Sequence, residues 1–402
     1  KRLGNPQDQL KYVHVAGTNG KGSVIAYLYT TLSEAGYRVG RYISPSVYSY
    51  REKMEVAGSA VSREQFAGYV TRVAAAIKEM TTEGLAHPTP FEIETAVAFL
   101  FFAEEKCDLV ILEVGMGGNL DATNIIRNTV LAVLVPISMD HQAFLGNTLS
   151  EIAEKKAGII KPGCSVVTVG QQPETMAVIE RVCRENGADL TEADLHEAKA
   201  VKEDFAGQTL EYRGENYELA LAGSYQTENA ALAPEALEVL GRVGYPTTVE
   251  QRKKGLKDTK WNGRLTIIHR EPLFIVDGAH NPAAADMLED SVRKYFKGRK
   301  LFFIMGVFRD KDYPYIIRKL CPYAEQIITI ETPDNPRALP AQELAEEVKK
   351  CNPHVQAADS IPDAVDKIFA MAGREDVILS FGSLSFIGEI TTIVKTQEEK
   401  NS

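Results

Sequence analysis

Cysteine is scarce and scattered. The five residues stand at 107, 164, 183, 321 and 351, and no two have the spacing of a zinc knuckle or a thiol redox pair. A disulfide scaffold and structural zinc are therefore excluded, and a reducing, cytoplasmic setting is expected. Long apolar runs are missing as well. The apolar stretch from Asn128 to Ile137 is only about half of the roughly 20 residues a membrane-crossing helix needs, so it reads as a buried strand and no membrane partner is expected. Positive charge is in deficit, with 45 Lys and Arg against 55 Asp and Glu and a net charge of -10, which argues against nucleic acid as a partner. There is no signal-peptide pattern, no internal repeat and no low-complexity tract. The opening residues, Lys1 to Pro6, read as the end of a helix and a turn, so the natural chain is expected to start further upstream.

What remains is an ordinary globular composition, 44% apolar and 25% charged, over 402 residues, too long for one hydrophobic core. Two or three domains are expected. The first strand spans Leu10 to Ala16 and is followed by a glycine-rich turn and a helix to about Gly36, with Val24, Leu28, Leu32 and Ala35 on one side. Further helices are predicted at 62–80, 90–106 and 148–157, and strands at 108–114, 128–137 and 165–169. The strands show no polar alternation, as in a sheet covered on both faces. This βα alternation predicts an α/β domain with a mostly parallel sheet. Short strands around the turn Arg213-Gly214 suggest a small antiparallel insertion, and a helix is expected from Asn229 to Leu240. After Trp261 the pattern restarts with strands at 265–269, 273–276, 300–305, 326–330 and 377–380 and helices at 282–295, 340–350 and 362–372. The division is thus placed at 1–262 and 263–402, with a smaller Rossmann-like α/β domain second.

The chemistry is most legible at His14-Val15-Ala16-Gly17-Thr18-Asn19-Gly20-Lys21-Gly22-Ser23. Glycines let several backbone N–H groups converge on one anion, the helix N-terminus adds a favourable field, and Lys21 supplies a mobile charge between phosphates. Thr18, Asn19, Gly20, Lys21, Gly22 and Ser23 are the candidate nucleotide cradle. The match to a Walker A loop is irregular, because Gly22 stands where Ser or Thr is usual. Taken alone, the loop says only that phosphate binds.

Other segments narrow this. Ser44-Pro45, the run from Leu112 to Asn124 (Leu-Glu-Val-Gly-Met-Gly-Gly-Asn-Leu-Asp-Ala-Thr-Asn), Asp140-His141, Glu154 to Lys161, Asp277-Gly278-Ala279-His280-Asn281-Pro282, Gly306 to Asp312, and Gly382-Ser383-Leu384 follow in order. Together with the phosphate loop they resemble the folylpolyglutamate synthase and dihydrofolate synthase family of the Mur ligase group over nearly the whole chain. The resemblance implies an ATP-dependent ligase. ATP phosphorylates a folate-side carboxylate to an acyl phosphate, and the amine of L-glutamate displaces the phosphate. It implies ATP and Mg2+, with Ser23 near the metal and Ser44, Glu113 and His141 as its ligands. Glu113 suits that part on physical grounds too, since it ends a buried strand where an unanswered carboxylate is costly. Histidine is an unusual magnesium ligand, and a loop hydrogen bond is the competing reading for His141.

By the same resemblance Lys156, not its neighbour Lys155, is the lysine that can be carbamylated. The competing reading is a surface lysine near a helix end. Asn229 looks adenine-facing, Arg264 looks like the linker arginine on the ATP phosphates, Asp277 looks like a contact to the ribose or the phosphates, and His280 looks like a residue near the γ-phosphate. A capped helix start at Pro282 would explain the last two without any ligand. Lys21, Lys156 and His280 are the expected catalytic residues. On the substrate side the candidates are Asp121, Ala122, Arg309 and Ser383, with Asp310 and Lys311 as glutamate-side or domain-interface residues. The family often carries Arg at the position of Asn119, and the form found here leans towards use of dihydropteroate as well as folates. Phe91, Thr95, Phe99 and Phe102 share a helical face that packs in the core or borders a pterin pocket. The family favours a monomer. A cell-wall Mur ligase acting on a UDP-linked substrate and a catalytically inactive nucleotide-binding homologue remain as alternatives. A kinase or GTPase switch is disfavoured because the chain lacks a guanine-recognition motif.

Overall fold

Eight strands form the first sheet, in the order Ser59–Ala60, Met54–Val56, Val39–Tyr42, Leu109–Glu113, Tyr12–Ala16, Thr129–Leu134, Ser165–Val169 and Asp189–Ala193. The computed structural model describes residues 1–140, 142–205, 207–223 and 225–401. From Val39–Tyr42 to Asp189–Ala193 neighbouring strands run parallel, and only the edge hairpin 54–60 is antiparallel. The central strands Tyr12–Ala16 and Leu109–Glu113 are buried at every residue, which is why their sequences show no alternation.

Helices cover both faces. Val13, Val15, Val24 and Leu28 pack on one side with Leu232 and Leu237 of the helix Gln226–Arg242. Tyr12, Val110 and Leu112 face Phe99 and Phe102 of the helix Pro90–Glu104 on the other. Tyr12 and Phe99 meet edge-on with ring centroids 5.9 Å apart, so that aromatic face is core.

A three-stranded antiparallel sheet, Lys199–Asp204, Gly207–Tyr212 and Glu215–Leu219, is the small insertion expected around Arg213-Gly214. A six-stranded sheet follows, in the order Thr266–Arg270, Leu273–Val276, Val377–Phe381, Leu301–Met305, Gln326–Thr329, Val355–Ala357. It is parallel apart from its first pair.

Several elements differ from the sequence reading. Asp189–Ala193 joins the large sheet as its far edge, and a helix at Pro173–Asn186 leads into it. The helices Val249–Asp258, Tyr313–Leu320 and Ile387–Asn401 were not expected. The first carries a run of charge that hides its narrow apolar side, and the second has only eight residues, too few for periodicity to stand out. The five cysteines are free, four buried and Cys351 exposed. No helix among the described residues is long and apolar enough to cross a membrane.

Candidate active site

The C-terminal ends of parallel strands, where open α/β sheets bind ligands, bring the expected residues together. The phosphate loop follows the central strand. Glu113 ends the adjacent strand, Ser44 lies just past the next one, and Asp277 and His280 follow Leu273–Val276 of the second sheet. A cavity of about 400 Å³ lies between them. Lys21, Ser44, Glu113, Lys156, Arg264 and His280 all line it, as do Thr18 to Ser23.

The loop is held open by close packing. Gly20 has φ +96°, and a Cβ there would stand 2.3 Å from Asn229 Oδ1. A Cβ on Gly22 would stand 2.2 Å from the Trp261 ring. This second contact explains the irregular Walker pattern, since the indole of the inter-domain linker occupies the space a Ser or Thr would need. Thr18 Oγ1 is tied into the loop after the next strand, donating to Ser138 O and accepting from Ser138 N, both at 3.0 Å. Ser23 Oγ accepts from Gln226 Nε2 at 3.2 Å, and Gln226 Oε1 accepts from Asn229 Nδ2 at 3.2 Å. Asn229 therefore sits against the phosphate loop, and with Tyr225, Asp277 and Met287 it also lines a smaller slot on the far side of Gly20.

Two lysines converge on one carbonyl. Lys21 Nζ donates to Gly17 O at 3.3 Å and to Thr18 O at 3.2 Å, and Lys156 Nζ donates to Gly17 O at 2.7 Å. Lys156 is buried, whereas Lys155 points outward and donates to Phe144 O at 2.6 Å. Burial, with the charge of Lys21, pushes the Lys156 ammonium down to about 7, and Asp140 opposes this.

Glu113 is 7% exposed, and burial pushes its carboxyl up from the usual range while Lys21 and the Ser44 N–H favour the anion. Its only hydrogen-bond donor among the described residues is that N–H, at 3.1 Å. A buried carboxylate with one donor, facing a cavity that a phosphate loop also lines, fits a hard divalent cation. Magnesium binds through one or two carboxylates and fills its remaining positions with water and phosphate oxygens. His141 lies outside the described residues. Among those described, no group of three or more His, Cys, Asp or Glu could by itself hold a metal.

The second half of the chain closes the cavity. Asp277 is buried, accepting from Leu265 N at 2.9 Å and Ala279 N at 2.8 Å, so its carboxylate fixes the linker against the strand end beside Arg264. Burial raises its carboxyl, and Arg264 holds it down. His280 Nδ1 lies 2.8 Å from Gly278 O. A carbonyl can only accept, so Nδ1 carries the proton and Nε2 is left as an acceptor. Burial and Lys311 push this imidazole down to about 4, which keeps it neutral. Asn281 caps the following helix and exchanges amide hydrogen bonds with Asn19, at 3.4 and 3.2 Å, across the two halves.

The substrate-side candidates scatter. Asp121 does not line the cavity. Its oxygens accept from Met116 N at 2.9 Å, Thr123 N at 3.0 Å and Thr123 Oγ1 at 2.5 Å, so it organises the loop after Glu113, with Ala122 in the short helix that follows. Ser383 is buried as the cap of the turn holding Leu384, which does reach the cavity. Arg309 is turned outward, bidentate to Glu343 at 2.9 and 3.0 Å, and the structure does not bring it to the site. Lys311, two residues on, turns inward to Asp140.

Sequence reasoning missed Trp261 and Arg41. Arg41 lines the cavity, pairs with Glu55 and stacks on Tyr29 and Trp261 at 4.7 and 5.5 Å. The glycine at position 22 was the one local signal that something packs there. Phe91 stands behind the cavity wall, since a Cβ on Gly115 would lie 2.6 Å from its ring.

Two Mur ligase families match the chain, the middle domain over residues 15–237 and the glutamate ligase domain over residues 263–384. The dihydrofolate synthase/folylpolyglutamate synthase of Bacillus subtilis is 35% identical over 405 residues, covering 98% of this chain and 93% of that protein. The Mycobacterium tuberculosis folylpolyglutamate synthase, solved with ADP and AMPPCP, superposes with a TM-score of 0.88 at 30% identity, over 98% of this chain and 92% of the other. E. coli FolC in complex with DHPP and ADP gives a TM-score of 0.85 at 29% identity, over 100% of this chain and 92% of the other.

Proposed function

This chain belongs to the folylpolyglutamate and dihydrofolate synthase family of Mur-type ligases, and on that footing we propose that it joins L-glutamate, at the expense of ATP, to the carboxylate of folates and of dihydropteroate. One observation carries the reading. A phosphate loop, a buried carboxylate and a buried lysine from the first half of the chain share one cavity with Arg264 and His280 from the second.

In the first step an acceptor carboxylate oxygen attacks the γ-phosphorus of ATP, giving an acyl phosphate and ADP. In the second the glutamate amine attacks the acyl carbon, the C–O bond to phosphate breaks, and the amine gives up a proton as the amide forms. Lys21, the loop N–H groups and Arg264 neutralise phosphate charge, where preorganised donors contribute most. The slot lined by Asn229 and Asp277 suits the nucleoside. His280, neutral with Nε2 free to accept, suits orientation of the amine or a phosphate hydroxyl. Glu113 and Ser44 would hold Mg2+, which supplies charge neutralisation at the transferred phosphoryl group.

The two domains, 1–262 and 263–402, must close for this chemistry, because the acyl phosphate needs a site that excludes water. One chain furnishes both walls, so a monomer suffices, and consumption of ATP fits a cytoplasmic site of action. Lys156 is proposed to be carbamylated. With its ammonium pushed down to about 7, a large share of the side chain is neutral near physiological pH, and the free amine can add to carbon dioxide with loss of a proton. The resulting anion would face Lys21.

ADP release measured with L-glutamate and either dihydropteroate or tetrahydrofolate tests the reading. Turnover with both acceptors is expected. Turnover only with UDP-muramoyl peptides would replace it with the cell-wall reaction, and nucleotide binding without turnover would mark an inactive homologue. Isotopically labelled bicarbonate should give a carbamate NMR signal that Lys156→Met abolishes.

A further inference from the structure

His14 occupies the middle of the central strand, paired in register with Leu112 on one side and Ala132 on the other. Tyr12, Val13, Val15 and Ala16, the rest of that strand, are apolar or largely so, and His14 is as fully buried as they are, at 0% exposure. Its ring Nδ1 has no hydrogen-bond partner among the described residues. Burying an unpaired ring nitrogen is unfavourable, and an aliphatic side chain would avoid it. The other nitrogen accounts for the residue. Nε2 lies 2.8 Å from Thr123 Oγ1.

The proton positions along this contact are determined. Thr123 Oγ1 lies 2.5 Å from Asp121 Oδ1, and a carboxylate only accepts, so the single hydroxyl proton is committed to Asp121. Thr123 must then accept from His14, which fixes the imidazole as the Nε2–H tautomer. Asp121 accepts in turn from the N–H of Met116 through its other oxygen, at 2.9 Å. A directed chain therefore runs from the sheet's centre, His14 to Thr123 to Asp121, and meets the backbone of a loop that lines the cavity with Gly115, Met116 and Gly117. Burial and Lys161 push the imidazole down to about 3, so it stays neutral and the direction of the chain does not change across the working range.

We propose that His14 is a positioning residue for the acceptor side of the cavity. Through Thr123 and Asp121 it holds the Gly115–Gly117 loop, which begins two residues after Glu113, in the geometry that receives the carboxylate-bearing substrate. The phosphate loop, which continues from the end of the same strand, is tied separately to Ser138, Gln226 and Asn229, none of which belongs to this chain of contacts. The inference rests on the ligase reading above.

The test uses the full chain and steady-state ADP release, with ATP and tetrahydrofolate varied separately at saturating glutamate. Thr123→Val removes the relay hydroxyl in nearly the same volume, and Thr123→Ser keeps it. Thr123→Val should raise the tetrahydrofolate KM by on the order of tenfold, one hydrogen bond's worth, with the ATP KM unchanged, and Thr123→Ser should restore it. His14→Phe should shift the same constant, and the double variant His14→Phe/Thr123→Val should cost no more than either alone. If both KM values move together, if Thr123→Ser fails to rescue, or if the two substitutions add, His14 is merely structural. Should His14→Phe fail to fold, the Thr123 pair still decides. A wild-type chain inactive with either acceptor would instead overturn the ligase reading, and this inference with it.

Discussion

Asp140 and Lys311 form an ion pair that joins the two halves of the chain, with Nζ 3.3 Å from Oδ1 and side chains only 12% and 10% exposed. Asn281 donates to the other oxygen of Asp140 at 3.4 Å. Asp140 lines the cavity, close enough to Lys156 and His280 to act on both.

Removing one member of such a pair leaves a charge with reduced hydration, which costs about 3–5 kcal/mol in fully buried cases. Lys311→Met is therefore expected to weaken domain closure. It should lower kcat and raise the ATP KM together, while Arg309→Met, on the outward side of the same loop, should leave both nearly unchanged. Kinetics of the two variants side by side check this, and equal effects would refute it.

Gly22→Ser would restore the usual Walker A residue and should nevertheless inactivate the protein. The new Cβ meets the Trp261 ring at 2.2 Å, and forced overpacking of this kind costs about 1–3 kcal/mol. Nucleotide affinity should fall by about tenfold or more. Gly22→Ser/Trp261→Ala should recover part of it, which calorimetric titration with ADP would measure.

Trp261 is the only tryptophan in the sequence. It covers Gly22, stacks on Arg41 and lies three residues before Arg264. Intrinsic fluorescence should therefore change on addition of ADP or ATP, saturably, and Trp261→Phe should abolish the signal. A nucleotide titration that leaves the emission flat would separate the indole from the nucleotide site.

Acid should destabilise the fold through two histidines. Burial pushes His14 down to about 3 and His280 down to about 4, against an ordinary value of 6.5 in the unfolded chain. Below 6.5 the unfolded state takes up protons that the folded state refuses, so stability falls with pH. The contribution is complete above 6.5 and is lost progressively as pH drops through the folded-state values. Thermal melts from neutral pH down to about 4 should show the decline, and His14→Phe should flatten its slope.

The sequence by itself determined whatever rests on local pattern. A strand, a glycine-rich turn and a helix marked Gly17–Ser23 as a candidate phosphate cradle with Lys21 in it, because backbone N–H groups converge there whatever the rest of the chain does. Unbroken apolar runs marked the covered strands, and Glu113 at the end of one had to meet a cation or donors. Tertiary structure alone decided what depends on rotation and on distant partners. Lys155 and Lys156 are adjacent in sequence, yet one helical step turns Lys156 onto Gly17 O and leaves Lys155 outside. Arg309 and Lys311 divide in the same way between Glu343 and Asp140. Gly22 needs Trp261, and Asn19 needs Asn281, only because two domains meet over the phosphate loop. No local periodicity encodes contacts between residues more than two hundred positions apart. They exist because the strand ends of two separate sheets face one cavity.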